Sequence, residues 1–147
     1  MPDRDPMDEQ AVIGALNEAL ALQHRSAIAY NLAAGSLTGF QFQPLALELG
    51  RFALEETRDA RHLVEKIVTL GGEPTTAVTD LAFDADPTGA VEALIDHETQ
   101  TIEALQAVIP PSGQEGRSEA LEHRMEHIIM RKQEQVDALI RASRTAA

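Results

Sequence analysis

The chain has no cysteine and no tryptophan, one tyrosine and four phenylalanines, and half as many basic residues as acidic ones, 12 against 24. Each shortage excludes something. Without cysteine there is neither a disulfide framework nor a thiolate metal site, and the redox compartment stays undetermined. With 3% aromatic residues and an apolar content of 44% carried mainly by Ala and Leu, the composition favours helix over sheet. No apolar run approaches the roughly 20 residues of a membrane span, and the beginning, MPDRDPMDEQ, is too acidic for a secretory signal. A net charge of -12 speaks against nucleic acid and against anionic membranes as partners. The expectation is a soluble, cytoplasmic protein of one domain spanning residues 1–147, with short disordered ends.

What the chain does have is helical periodicity. Ile13, Leu16, Leu20, Ala27, Tyr30 and Ala34 recur in steps of three and four between about Asp8 and Gly35, and predict a first helix. Gly35 and Gly39 signal a turn, and Pro44 suits the first turn of a second helix that ends at Gly71 and Gly72. Its stripe is Leu49, Phe52, Ala60, Leu63, Ile67 and Leu70. A third helix is predicted from Pro87, capped by Asp86, to Ile109, where Pro110 and Pro111 stop it. The fourth runs from about Glu115 to Ser143 on Leu121, Met125, Ile128, Val136 and Leu139.

A helix of about 27 residues is roughly 40 Å long. The first and third connections are too short to span that, so each joins antiparallel neighbours. The middle one, Gly71 to Asp86, could extend roughly 50 Å and is long enough to cross the bundle from end to end.

Each apolar stripe is interrupted near its middle by polar residues: Gln23 on the first helix, Glu56 with Asp59 on the second, Glu98 on the third, Lys132 with Gln135 on the fourth. A carboxylate on a buried stripe is costly unless it is paired, protonated or bound to a cation. One residue from each of two helices and an i, i+3 pair from each of the others is the layout of a carboxylate-bridged dinuclear metal site in a four-helix bundle.

The segments LNEALALQHRSAIAY, from Leu16, and LEETRDARHLVEKIVTLGGEP, from Leu54, resemble the first two helices of the bacterioferritins, within the ferritin-like superfamily. The resemblance implies an all-α, ferritin-like antiparallel four-helix bundle with a long crossover between helices 2 and 3. It also implies a homo-oligomer associated with iron binding or storage. Carried across, Glu56 matches a bridging ligand and Glu98 the lone Glu of the third helix. Asp59 stands where a His ligand would be, Gln23 at the first Glu, Lys132 at the other bridging Glu, Gln135 at the last His, and Tyr30 matches a tyrosine behind the ligands. Position 57, a haem-ligating Met in bacterioferritins, is Thr57, so no haem is expected.

The expected metal ligands are therefore Glu56, Asp59 and Glu98, with iron as the metal and ferroxidase-type oxidation of Fe(II) as the activity, at an incomplete di-iron centre. The alternative is a non-enzymatic bundle in which Lys132, whose ammonium repels cations, neutralises the carboxylates in a buried network. Asp59-x-x-His62 and Glu134-x-x-Asp137 lie on solvated faces, and His24, His97, His123 and His127 beside the core stripes read as surface or oligomer-contact residues.

Overall fold

The computed structural model describes residues 5–144; the expected disordered ends fall on residues 1–4 and 145–147, outside the described residues. Four long helices carry the fold: α1 (Glu9–Ser36), α2 (Gln43–Thr69), α3 (Pro87–Gln106) and α4 (Gly116–Ser143). Local chemistry sets their ends. The Asp8 side chain accepts from the Ala11 N–H and the Asp86 side chain from the Gly89 N–H, each capping a helix start. α2 closes on Gly71, whose φ of 85° is the left-handed conformation a glycine adopts without strain. α4 opens with a capping box between Glu115 and Ser118.

Two expectations need correction. α3 ends at Gln106, three residues short of Ile109. Pro110 and Pro111 have no N–H to offer the carbonyls of Gln106 and Ala107, so the chain tightens: Val108 and Ile109 donate three residues back, to Leu105 and Gln106. On α1, Ile13, Ala27 and Ala34 are only half-buried, and the innermost line is Val12, Leu16, Ala19, Gln23, Ser26, Tyr30 and Ala33.

The connection between α2 and α3 does cross the bundle. Gly72 lies against Ile13, Asn17 holds both Glu73 and Thr75, the Thr79 N–H donates to the Ala21 carbonyl, and Leu81 packs with Ala29 and Ala33. The strand of chain thus follows α1 from beginning to end. α3 then starts where α1 finishes and runs antiparallel to it, with Thr101 opposite Ser26 and Leu105 packed among Val12 and Leu16. Asn17 is the clamp, its Nδ2 donating to the Glu73 carbonyl at 3.1 Å and its Oδ1 accepting from the Thr75 N–H at 2.8 Å. Asn17→Ala is expected to cost about 1 kcal/mol and to speed amide exchange at Thr75, read by denaturant unfolding and hydrogen exchange. Unchanged exchange there would show that other contacts hold the crossing.

Two apolar clusters fill the interior. One gathers Leu16, Leu20, Leu63, Ile67, Leu105 and Met125; the other gathers Tyr30, Leu49, Phe52, Val91, Leu94 and Leu139. Between them lies a polar layer.

Candidate functional site

Every helix contributes to that layer. Gln23, Glu56, Glu98 and Lys132 are 0% exposed, and Asp59 and Gln135 are 3% exposed. The amphipathic pattern put them there: each falls in its helix's apolar stripe, so packing the stripes together buries them together. Lys132 Nζ donates to Glu56 Oε2 at 2.5 Å and to Glu98 Oε1 at 2.9 Å. Gln135 Nε2 donates to Glu56 Oε1 at 2.8 Å and to Glu98 Oε2 at 3.1 Å, with the Tyr30 hydroxyl 3.4 Å away. Gln23 Nε2 reaches the Glu56 carboxylate and, at 2.8 Å, the Glu56 carbonyl. Tyr30 in turn meets Phe52 edge to face, which fixes its ring from the apolar side.

Of the three expected ligands, the fold brings Glu56 and Glu98 together on one ammonium. Asp59, one turn further along α2, faces elsewhere: it is paired with the Arg131 guanidinium, whose Nη1 also donates to Gln135 Oε1 at 2.6 Å. Among the described residues no group of three or more His, Asp or Glu side chains stands in a metal-holding arrangement. Arg131 is the member that sequence reasoning missed. The signal was the antiparallel register of α2 and α4: if Glu56 faces Lys132 and Gln135, the residue one turn after Glu56 faces the turn before them, which contains Arg131.

The electrostatics follow from burial and from Lys132. Burial alone would push the Glu56 carboxyl up; the Lys132 charge and the hydrogen bonds around it outweigh burial and hold it below its ordinary value of 4.5. For Glu98 the balance falls the other way. Burial, assisted by the negative charge of Glu56, raises it to about 8 against the pull of Lys132. At neutral pH the layer therefore holds a cationic Lys132, an anionic Glu56 and a protonated Glu98, with no net charge among the three. Tyr30 is raised well above 10.0 by burial and by the two neighbouring carboxyl groups, so its phenol keeps its proton. The centre is an internally neutralised set of groups shut off from bulk solvent, in which Gln23 Oε1 has no hydrogen-bond partner among the described residues.

The Ferritin-like domain family matches residues 13–142 of the chain. A curated relative, the bacterioferritin of Desulfovibrio desulfuricans, is 30% identical over 106 residues; the match covers 71% of this chain and 59% of the relative, so the chain spans less than two thirds of the relative's length. Among solved structures, a ferritin-like, diiron-carboxylate protein from Bacillus anthracis superposes with a TM-score of 0.86 at 27% identity, covering 93% of this chain and 98% of that one. A structure of the D. desulfuricans bacterioferritin, with its diiron site in different catalytic states, gives a TM-score of 0.82 at 26% identity over 92% and 79% of the two chains. With that match over residues 13–142 and the same four-helix architecture in the solved relatives, the chain belongs to the ferritin-like domain family.

Proposed function

We propose that this protein is a non-enzymatic member of the iron-storage class, a ferritin-like subunit in which the di-iron centre is incomplete and Lys132 supplies the positive charge that metals supply elsewhere. The observation that carries this reading is the position of the Lys132 ammonium, 2.5 Å from Glu56 and 2.9 Å from Glu98.

The residues present do not fit a pair of iron ions. The resemblance places six ligands in this layer, and Gln23, Lys132 and Gln135 occupy three of those positions with groups that carry no negative charge. Asp59 is engaged by Arg131, and Glu98 holds its own proton. Two unit charges 4 Å apart interact by about 4 kcal/mol at an effective dielectric constant of 20, so a divalent ion beside the ammonium meets a repulsion of about 8 kcal/mol. A groove of about 460 Å³ between α2 and α4, which Gln135 also lines, carries Arg51, Arg58, Arg131 and Arg141 among its acidic residues.

The protein's role in this reading is that of an assembly subunit, a cytoplasmic homo-oligomer. No described helix is long and apolar enough to cross a membrane, and Leu54, Val68 and Ile28 stand 73%, 57% and 41% exposed on the outer faces of α1 and α2. Aerobic addition of Fe(II), followed by ferric absorbance, is expected to give the rate of a protein-free control and of Glu56→Ala, with far less than one iron retained per chain. Oxidation faster than both controls, with retained iron lost in the variant, would overturn the reading in favour of iron held by Glu56, Asp59 and Glu98.

A further inference from the structure

The polar layer brings an amine against two carboxyl groups where none of the three meets solvent. Lys132 Nζ lies 2.5 Å from Glu56 Oε2 and 2.9 Å from Glu98 Oε1, and all three side chains are 0% exposed. An amine, a carboxyl group and a second carboxyl group able to take and return a proton are the components from which an amide bond is made. In water the three remain a salt, because hydration holds the charges and bulk water favours hydrolysis. In the layer the hydration is gone, and apolar clusters around Leu63 and Met125 on one side and Phe52 and Leu139 on the other keep water away. Holding the two reacting groups in contact also removes the entropy of their encounter, for which effective concentrations reach about 10⁵ M or more. Two carboxamides complete the set. Gln135 Nε2 donates to Glu98 Oε2 at 3.1 Å, where negative charge develops when the carboxyl carbon is attacked. Gln23, whose Nε2 touches Glu56, has its Oε1 buried and without a partner among the described residues, which leaves one acceptor open in the layer for a released water.

We propose that Lys132 and Glu98 condense to an intramolecular amide, a side-chain crosslink between α4 and α3, with Glu56 as the proton carrier. This rests on the reading that no metal occupies the layer, since a carboxylate bound to a metal is neither neutral nor free to react. Glu98 enters the step as the carboxylic acid. Glu56 takes one proton from the Lys132 ammonium across their contact, which frees the amine lone pair. Nζ attacks Glu98 Cδ, forming the C–N bond and moving the carbonyl electrons onto Oε2, where Gln135 donates. The carbonyl then re-forms, the Cδ–Oε1 bond breaks, and Oε1 leaves as water with its own proton and one from Glu56. Glu56 finally takes a proton from Nζ. One ammonium, one carboxylate and one carboxylic acid have become one amide, one carboxylic acid and one water. Nothing is oxidised or reduced, the net charge is unchanged, and no charge stays buried among the three, which is the driving force.

The test is the mass of the full chain, held folded at neutral pH beside the same chain held in urea. A growing fraction lighter by one water is expected in the folded sample alone. Trypsin cuts after Lys and Arg, which puts Glu56 in residues 52–58, Glu98 in residues 67–117 and Lys132 at the head of residues 132–141. The crosslink should therefore appear as 67–117 joined to 132–141, with no cut after Lys132. Lys132→Met should keep its full mass, and Glu56→Gln should slow the loss by about 100-fold or more. If either variant fails to fold, the peptide map of the unaltered chain still decides. A link to 52–58, a lost water confined to one peptide, or a Glu56→Gln chain that links at the unaltered rate would overturn the proposal. Full mass after long incubation with no iron retained would overturn the crosslink and leave the proposed function standing, whereas full mass with iron retained would overturn both.

Discussion

Lys132→Met is expected to lower the stability of the fold by about 3 to 5 kcal/mol, the cost of leaving a buried charge without its partner. Methionine nearly matches the lysine in volume, so packing is not the cause. The loss arises because Glu56 is 0% exposed and its charge depends on the ammonium 2.5 Å away. At about 2 to 4 °C per kcal/mol for a domain of this size, the Tm should fall by about 10 °C. Glu56→Gln alone should also be costly, since it strands the ammonium. Combined with Lys132→Met and Glu98→Gln it should restore most of the loss, because a neutral layer needs no counter-charge and replacing a buried pair whole is often neutral or stabilising. The measurement is a set of denaturant unfolding curves for the single, double and triple variants. If the lone Lys132→Met change leaves the midpoint where it was, the ion pair does not support the fold.

The second large effect is on pH. Glu98 holds its proton up to about 8 in the folded chain, against an ordinary value of 4.5. Between those values the folded form binds more protons than the unfolded one, so this contribution is complete below about 4.5 and is lost as the pH rises through about 8. Glu56 works in the opposite sense. Its folded value lies below 4.5, so its contribution is present above the ordinary carboxylate range and is lost on acidification. Stability should therefore be greatest in weak acid and decline by a few kcal/mol towards weak alkali, because a tenfold difference in proton affinity between the folded and unfolded chain corresponds to about 1.4 kcal/mol. Growing repulsion in a chain of net charge -12 would give a slope of the same sign. Glu98→Gln separates the two, since the amide stays neutral at every pH while the surface charge hardly changes. Urea unfolding from about pH 5.5 to 8.5 should show a steep decline in the unaltered chain and a shallow one in the variant. Equal slopes would mean that Glu98 is ionised in the fold at neutral pH.

The four helices were legible because glycine, proline and aspartate mark their ends and leucine and isoleucine mark their buried faces. The stripe of α1 was displaced because that helix is covered on three sides, by α2, α3 and the crossing connection. Ile13 and Ala27 are apolar for the sake of those lateral contacts, and nothing in their spacing separates them from the central line. The polar layer was equally visible, since Gln23, Glu56, Asp59, Glu98, Lys132 and Gln135 interrupt stripes that are otherwise apolar. Which charge meets which was not. Arg131 next to Lys132 looks like a solvated neighbour until α2 and α4 are set antiparallel in one register, and only then does its guanidinium fall on Asp59.

The crossing connection also decides the order in which the fold can be completed. α1 with α2 and α3 with α4 are hairpins of near neighbours, able to zip locally, whereas Lys132 meets Glu56 across 76 positions and Gln135 meets Tyr30 across 105. Contacts of that separation await closure of the long loop, and they require an ammonium and a carboxylate to shed water before either gains its partner. Gln23 with Glu56 and Lys132 with Glu98 lie within one hairpin each, so only the contacts that join the two hairpins are expected to form last, and they select the register: hairpins docked one turn out of place would leave the lysine facing apolar side chains.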